Sequence, residues 1–275
     1  MTWLARVLAA RDFPLERLAR DLELAADVVA ERLPRRAAAL APRLEEAGSL
    51  VRALADEQAD APVGPAGRLA KAYVAAIVAG RPAIARATVE RAVEEGMPVA
   101  EAYVGVLQPA LYEIGDLWAA GRVSVAQEHL ATATTQVLAA RLAARLPRAE
   151  RGSGTVVVAA SEGELHALGT RFVAELLEAA GWTVLELGAS TPVLDLVTLV
   201  ARERPRAVGL STSLTTNLRA AEEAFARLRA LPAAPLLAAG GRAYGGDAEL
   251  ARRLGADFFA PDPLALLARL REHAG

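Results

Sequence analysis

The chain of 275 residues contains no cysteine. This absence excludes disulfides, thiolate metal sites, iron–sulfur clusters, thiol nucleophiles and any chromophore attached through a thioether. Aromatic residues make up only 4% of the sequence, and there are three histidines. The 53% of apolar residues therefore describes an alanine- and leucine-rich globular protein that is long enough for two domains and a sizeable core.

The sequence also lacks an excess of one charge and a long hydrophobic run. Its 31 basic and 33 acidic residues give a net charge of −2, so no global field attracts nucleic acid or an anionic membrane. No uninterrupted apolar stretch reaches the roughly 18 residues of a membrane span, and the N-terminus lacks the pattern of a signal peptide. We expect a cytoplasmic protein with no membrane partner and no direct DNA binding.

The first half of the chain has the pattern of helices. The pattern predicts an N-terminal helical extension over residues 1–60, in which Phe13-Pro14 ends a first short helix. A stretch rich in proline and glycine, Ala59 to Gly67, reads as a linker. Four helical segments with short connections then predict a four-helix bundle over residues 66–147. We place these segments at about 68–79, 82–96, 99–120 and 124–146.

The second half, residues 153–275, alternates apolar strands with helices. Apolar strands joined by helices of 10 to 15 residues require a parallel sheet covered on both faces, with right-handed crossovers. The pattern predicts a doubly wound, flavodoxin-like domain of five strands. We place the strands at about 155–160, 182–187, 206–211, 235–239 and 256–259, and the helices near 167–180, 192–203, 216–230, 245–254 and 262–272.

The loop after the first strand carries an acid and a histidine, in the stretch Glu164 to Gly169. Loops at the carboxyl ends of strands are where ligands bind in open α/β sheets. A carboxylate beside an imidazole is how proteins hold a metal-ligating histidine in one tautomer. His166 is therefore a candidate metal ligand and Glu164 its orienting partner.

Small residues end two further strands of the same domain. Ser211-Thr212-Ser213 follows the third strand and Gly240-Gly241 follows the fourth. These loops open on the same edge as the Glu164 loop, where glycines let a backbone approach a bulky ligand and hydroxyls supply donors. The first loop has no Gly-x-Gly-x-x-Gly and no P-loop lysine, so this is not a dinucleotide or nucleotide fingerprint.

A second group of candidate residues lies in the bundle. Ser124 is placed to cap the last bundle helix, with Gln127 completing a capping box. Glu128 and His129 then fall in its first turns, near the Trp118 end of the preceding helix. Trp118 is also compatible with a core aromatic, and His129 with a surface histidine.

Taken together, these motifs resemble a known family. Cobalamin-binding domains carry a similar series of motifs to Glu164-x-His166-x-x-Gly169, Ser211 and Gly240-Gly241 here. The helical bundle that precedes these motifs resembles the cap domain of the same family. The resemblance implies that His166 is the lower axial ligand of cobalt, in place of the cofactor's dimethylbenzimidazole. It implies that Glu164 hydrogen-bonds the other imidazole nitrogen. The cofactor-binding residues on this side would be Glu164, Leu165, Gly169, Ser211, Thr212, Ser213, Gly240 and Gly241.

The middle motif departs from the family pattern, because it reads Ser211-Thr212-Ser213 with Leu214 one position late. Either Ser211 or Ser213 therefore meets the nucleotide base of the cofactor. Glutamate at position 164, where the family has aspartate, adds a methylene and fulfils the same role.

Trp118, nine intervening residues and then Glu128-His129 resembles the signature of the CarH-type light sensors. That resemblance implies that Trp118 and Glu128 contact the upper group of adenosylcobalamin, with His129 nearby. CarH-type proteins also carry an N-terminal MerR-like DNA-binding domain, which we do not find here, and a histidine directly after the tryptophan. Because this sequence has Ala119 there, a second ligand after photolysis would be His129, water or nothing.

The resemblance predicts a light sensor rather than an enzyme. Photolysis of adenosylcobalamin in the gap between the bundle and the α/β domain would change conformation or assembly, in a homo-oligomer (dimer or tetramer) with an unidentified protein output partner. The related photocobilins also bind a bilin, so a non-covalent biliverdin or related bilin is left open. Two alternatives remain: a corrinoid methyl carrier for a methyltransferase, and a non-photochemical cobalamin-binding module.

Overall fold

The computed structural model of the chain describes residues 15–53 and 64–273. The predicted short helix before Phe13-Pro14 and most of the predicted linker lie outside these residues. The chain divides into a first unit, Met1–Val89 with Pro109–Thr134, and a second unit, Glu90–Gln108 with Thr135–Gly275. This division follows compactness, and the domain boundaries drawn from the sequence stay a prediction.

Helices dominate the first half of the described chain, as the sequence predicts. No helix within the described ranges is long and apolar enough to cross a membrane. These helices are α1 (Leu15–Arg32), α2 (Pro34–Ala53), α3 (Pro65–Val78), α4 (Pro82–Glu94), α5 (Val99–Glu101), α6 (Gln108–Ala119) and α7 (Val125–Ala143), with a π-helical segment over Ala102–Leu107 that joins α5 to α6.

Helix α3 begins earlier than the sequence predicts. Residues Ala59 to Gly67 read as a linker, yet Pro65 is the first residue of α3 and Gly64 precedes it with φ −87°. Proline is tolerated at the first helical position because its missing N–H would be unpaired there in any residue. The linker prediction is therefore wrong from Pro65 onward.

The helix predicted over 99–120 is continuous but is not an α-helix throughout. Pro109 has no backbone N–H, and in a regular α-helix its ring would clash with the carbonyl of Gly105. The wider turns of the π-helical segment, which ends at Leu107 just before this proline, relieve that conflict. Such segments inside α-helices occur frequently at functional sites.

Five strands form one parallel sheet in the order β2-β1-β3-β4-β5, which confirms the flavodoxin-like prediction. In the register, Ala160 lies opposite Ser211, and Ser211 lies opposite Gly240. The ends of the three central strands are therefore level. The elements are β1 (Thr155–Ala160), α8 (Leu168–Ala179), β2 (Thr183–Glu186), α9 (Val193–Glu203), β3 (Ala207–Ser211), α10 (Leu218–Arg229), β4 (Leu236–Gly240), α11 (Ala248–Arg253), β5 (Phe258–Phe259) and α12 (Pro263–Glu272), with short 3₁₀ turns at Thr215–Asn217 and Arg242–Tyr244.

The sheet is buried on both faces, which explains why β1 reads as a continuous apolar run. Val157 packs with Leu196 and Phe225 in one core cluster. Its neighbour Val156 points the other way and packs with Trp182 in a second cluster. Because side chains alternate along a strand, each face needs its own helices, and the alternating helices supply them.

Candidate metal centre

The loop that follows β1 holds the predicted histidine against a buried acid. The imidazole Nδ1 of His166 is hydrogen-bonded to Glu164 Oε1, and the backbone N–H of His166 donates to the same oxygen at 3.1 Å. Glu164 is fully buried, whereas 55% of the His166 side chain is exposed. The carboxylate fixes the ring and its tautomer, so Nε2 is the ring nitrogen suited to ligating a metal.

The other oxygen of Glu164 is bound by the loop after β3. Its Oε2 accepts hydrogen bonds from the backbone N–H groups of Ser213 and Leu214, at 2.8 and 2.9 Å, and from Asn217 Nδ2 at 3.1 Å. Burial by itself raises the pKa of Glu164. The hydrogen bonds from His166, Leu214 and Ser213 outweigh burial and lower that pKa to about 2. Glu164 is therefore a carboxylate at neutral pH, even though it is fully buried.

Asn217 is a site residue that the sequence does not single out. It ends the short 3₁₀ turn after β3 and lies 53 positions from its partner Glu164. Its only signal in the sequence is a polar amide in a loop at the carboxyl end of a strand.

Hydroxyl groups line the junction between β1 and β3. Ser161 Oγ and Thr212 Oγ1 are 2.7 Å apart, and both residues are buried. The backbone N–H of Ser161 donates to Ser211 O at 3.0 Å. The structure therefore brings the predicted Ser211–Ser213 loop to the Glu164 loop and adds Ser161, which sequence reasoning missed.

Close approach of the backbone requires glycine at one of the predicted positions. A Cβ on Gly241, whose φ is +98°, would lie 2.3 Å from Thr212 O. This is too close for any side chain, so the position requires glycine. A Cβ on Gly169 would lie 3.8 Å from Ser211 Oγ. The three predicted loops are thus neighbours at one edge of the sheet.

These features fit a bulky metal cofactor held from one side. The buried carboxylate of Glu164 needs a hydrogen-bond donor on the side that faces His166. A metal bound to Nε2 of the neutral ring would leave the ring proton on Nδ1, which is that donor. Leu165 exposes 78% of its surface, an apolar contact suited to a flat ligand. The donor set supports one imidazole bond to a metal, with the remaining ligands supplied by the cofactor.

The predicted bundle residues lie in the first unit. The capping box is confirmed: the backbone N–H of Ser124 donates to Gln127 Oε1 at 2.9 Å, and that of Gln127 donates to Ser124 Oγ at 3.3 Å. Trp118 is half-buried near the end of α6. Glu128 and His129 therefore occupy the first turns of α7, as predicted.

Within the described residues, the carboxylate of Glu128 is hydrogen-bonded to side chains of its own helix. Its Oε1 accepts from Thr132 Oγ1 at 3.1 Å, and its Oε2 lies 2.6 Å from His129 Nδ1. The His129 side chain is 73% exposed. The methyl group of Ala119 is buried and cannot ligate a metal.

Comparison with known proteins identifies the class. Residues 69–142 and residues 154–268 match two family models, each described as a B12 binding domain. Together these matches cover more than half of the chain. The protein is therefore a cobalamin-binding protein with two B12 binding domains, the first helical and the second flavodoxin-like.

Two curated relatives and one solved structure show which proteins the chain resembles. It is 34% identical over 165 residues to the HTH-type transcriptional repressor CarH of Myxococcus xanthus, a match that covers 59% of this chain and 54% of that protein. It is 28% identical over 140 residues to dimethylamine corrinoid protein 3 of Methanosarcina acetivorans, which covers 51% of this chain and 62% of that protein. The chain thus spans about half of the length of the CarH repressor it matches.

The monomethylamine corrinoid protein of Methanosarcina barkeri has a similar fold. The TM-score is 0.64 with 21% sequence identity, over 74% of this chain and 96% of that one. This likeness supports the fold of a helical cap followed by a five-stranded parallel sheet.

Proposed function

We propose that the protein is a light sensor that uses adenosylcobalamin. The observation that carries the proposal is the presence, in one cobalamin-binding chain, of the Glu164–His166 pair and the Trp118, Glu128 and His129 set. The identity of 34% to the CarH repressor supports it. Adenosylcobalamin, when bound, supplies a cobalt–carbon bond that visible light breaks.

On the lower side, His166 Nε2 would be the protein's ligand for cobalt, in place of the cofactor's own dimethylbenzimidazole. The ionised Glu164 accepts a hydrogen bond from Nδ1–H, which keeps the ring in the ligating tautomer and raises its basicity. The low pKa of Glu164 means that this orientation persists at neutral pH and well below it.

The displaced nucleotide tail is accommodated beside β3 and β4. Of the two candidate serines, we assign the contact with the nucleotide base to Ser211. Its hydroxyl lies 3.8 Å from the position that a Cβ on Gly169 would take, whereas the backbone N–H of Ser213 donates to Glu164. Gly240 and Gly241 keep this side free of side chains.

On the upper side, Trp118 supplies an apolar face and Glu128 supplies acceptors for the hydroxyls of an adenosyl group. Light would remove the group that these residues contact. Because Ala119 offers no ligand, His129, water or nothing would take the vacated position, and the contacts of Trp118 and Glu128 would rearrange. We propose that this rearrangement changes conformation or assembly, and that the homo-oligomer passes the signal to a protein partner.

A spectroscopic experiment tests this proposal. The protein is reconstituted with adenosylcobalamin in the dark, and its absorption spectrum and size in solution are recorded before and after green light. We expect the spectrum to change on illumination and the size to change with it. An unchanged spectrum would contradict light sensing, and a spectral change without a change in size would leave conformation as the output. Bands in the far red would report a bound bilin, as the resemblance to photocobilins leaves open.

The second candidate function is that of a corrinoid methyl carrier for a methyltransferase. The match to the dimethylamine corrinoid protein favours it. Under this alternative, methylcobalamin bound to the protein is demethylated by a companion methyltransferase in the dark. Under the light-sensor proposal, the bulk of Trp118 and the acceptors of Glu128 favour adenosylcobalamin over methylcobalamin, which a competition binding measurement distinguishes. A protein that binds adenosylcobalamin and responds in neither assay would be a non-photochemical binding module.

A further inference from the structure

A buried tyrosine in the π-helical segment is bound to a buried acid on α8. The hydroxyl of Tyr103 donates to Glu175 Oε2 at 2.5 Å, and the Tyr103 ring stacks on Phe172 with the ring centroids 4.6 Å apart. The carbonyl of Ala139 is 3.0 Å from the same hydroxyl. Burial raises the pKa of Tyr103, and the hydrogen bond to Glu175 raises it further. Tyr103 is therefore a fixed hydrogen-bond donor.

Glu175 also contacts a side chain that leads toward the sheet. Its second oxygen, Oε1, accepts from Arg171 Nε at 2.5 Å. An Arg171 terminal nitrogen lies 3.5 Å from Glu186 Oε2 at the end of β2. The other oxygen of Glu186 lies 3.3 Å from Thr170 Oγ1.

The network ends beside the metal centre. The hydroxyl of Thr170 contacts the carbonyl oxygen of Ala167 at 2.7 Å, and Ala167 directly follows His166. A continuous series of polar contacts, which we call the Tyr103 network, therefore runs from the π-helical segment to the residue next to the candidate ligand. Its members are Tyr103, Glu175, Arg171, Glu186, Thr170 and Ala167.

Stability alone is a weak reason for such a network. Burying a carboxylate is costly, and a buried ion pair often contributes no more than well-packed apolar residues of the same volume. Residues that support a ligating group through hydrogen bonds, by contrast, set its orientation and its affinity for the metal. The place where the network ends favours the second role.

We propose that Tyr103 is a positioning residue for the metal centre, acting through Glu175, Arg171 and Thr170 on the carbonyl of Ala167, the residue that directly follows His166. The inference rests on the assignment of His166 as the lower ligand of cobalt. It adds a second support of the histidine: Glu164 orients the ring, and the Tyr103 network holds the backbone from which the ring projects.

The variant Tyr103→Phe tests this role, because it removes the hydroxyl and keeps the ring that stacks on Phe172. The protein is loaded with cobalamin, and the fraction in which histidine is bound to cobalt is read from the absorption spectrum as a function of pH. We expect the equilibrium for histidine coordination to fall about threefold to tenfold, the scale of one hydrogen bond, so that coordination is lost at a higher pH than in the native protein. Hydrogen exchange of the amides of residues 164–171 in the cofactor-free protein should quicken by a similar factor.

Two variants separate positioning from general destabilisation. Val106→Ala creates a cavity in the same π-helical segment, where Val106 is buried, but it leaves the hydroxyl of Tyr103 in place. It should lower thermal stability without changing the coordination equilibrium. Glu222→Gln, at an exposed position on α10 of the same domain, should change neither.

The proposal is overturned if Tyr103→Phe coordinates histidine as the native protein does, or if Val106→Ala weakens coordination by the same factor. A native protein that shows no histidine-on spectrum would overturn the ligand assignment itself. In that case, unchanged hydrogen exchange at residues 164–171 in Tyr103→Phe would show that the Tyr103 network does not support the loop either. Faster exchange would show that the network supports the loop backbone, without a role in metal binding.

Discussion

The two groups of residues that we propose for cobalamin binding, a lower half around His166 and an upper half around Glu128, are built differently. In the α/β domain, Glu164 is fully buried and is bound by groups from two loops, including Asn217 and the backbone of Ser213. In the bundle, Glu128 is half-buried, and its partners Thr132 and His129 are on its own helix. One carboxylate is locked by long-range contacts, whereas the other is held by local ones.

This difference indicates that the two carboxylates have different roles. A carboxylate with its full set of donors has one orientation before the cofactor arrives, so it is suited to a permanent bond through His166. A carboxylate with local partners exchanges them at low cost, so it is suited to a group that is bound in the dark and lost in the light. Substitutions in each half can show whether the lower half is indeed fixed and the upper half adaptable.

The largest expected effect is that of His166→Ala. Removing the imidazole should abolish the histidine-on absorption spectrum completely. The unfolding free energy of the cofactor-free protein should fall by about 1.5–3 kcal/mol, because the buried Glu164 carboxylate loses the hydrogen bond from the imidazole and keeps only that of the backbone N–H of residue 166 on the same oxygen. Absorption spectroscopy and thermal unfolding check the two halves of this prediction, and a histidine-on spectrum in this variant would refute the ligand assignment.

Glu164→Gln should come next in size. The amide places an N–H group where the carboxylate accepts hydrogen bonds, which leaves buried donors unpaired and costs about 1–3 kcal/mol of stability. Cobalamin affinity should fall about 10- to 100-fold, the usual effect of removing the partner of a ligating histidine.

Glu162→Gln is the matched control for that variant. Glu162 lies two residues away, is exposed, and accepts one hydrogen bond from the backbone N–H of Val193. It should keep native affinity within about twofold. Equal losses of affinity in the two variants would mean that Glu164 has no special role.

Gly241→Ala tests the close approach of the Gly240-Gly241 loop to the backbone of Thr212. The added methyl group would meet the backbone of Thr212 in a left-handed conformation, at a cost of about 1–3 kcal/mol or more. Gly246→Ala is the matched control, because Gly246 has φ +80° and no atom lies within 4 Å of the position that its added methyl group would take. Its cost should be about 1 kcal/mol, and urea unfolding of both variants would measure the difference.

The smallest effect on the dark protein is expected for Glu128→Gln. Because Glu128 is only half-buried and its partners are local, stability should change by about 0.5 kcal/mol or less. Binding of adenosylcobalamin should weaken by no more than about tenfold, the scale of a charge-assisted hydrogen bond. Calorimetric titration checks this, and a loss as large as that of Glu164→Gln would remove the contrast between the two halves.

Much of this architecture could be predicted from the sequence because its signals are local or periodic. The strand order of the sheet follows from alternating strands and helices, and the pair Glu164 and His166 is only two residues apart. The capping box of Ser124 and Gln127 is likewise a short-range pattern. These are features that neighbouring residues determine by themselves.

What the sequence did not predict depends on contacts between distant residues. Asn217 reaches Glu164 across 53 positions, and Tyr103 reaches Glu175 across 72. Nothing in the local pattern marks either pair, because pairing across such distances is created by the fold. The π-helical segment is an exception: Pro109 is a local signal of a disturbed helix, and the α-helical periodicity on both sides of it masks the disturbance.

The central claim, that His166 bonds to cobalt through nitrogen, is tested most directly by electron paramagnetic resonance of the protein loaded with cob(II)alamin. With protein that contains ¹⁵N-labelled histidine and cofactor of natural abundance, we predict that each cobalt line is split into a doublet, and that His166→Ala loses this splitting. A triplet in the labelled protein would show that the cofactor's own nitrogen is still bound and would contradict the account.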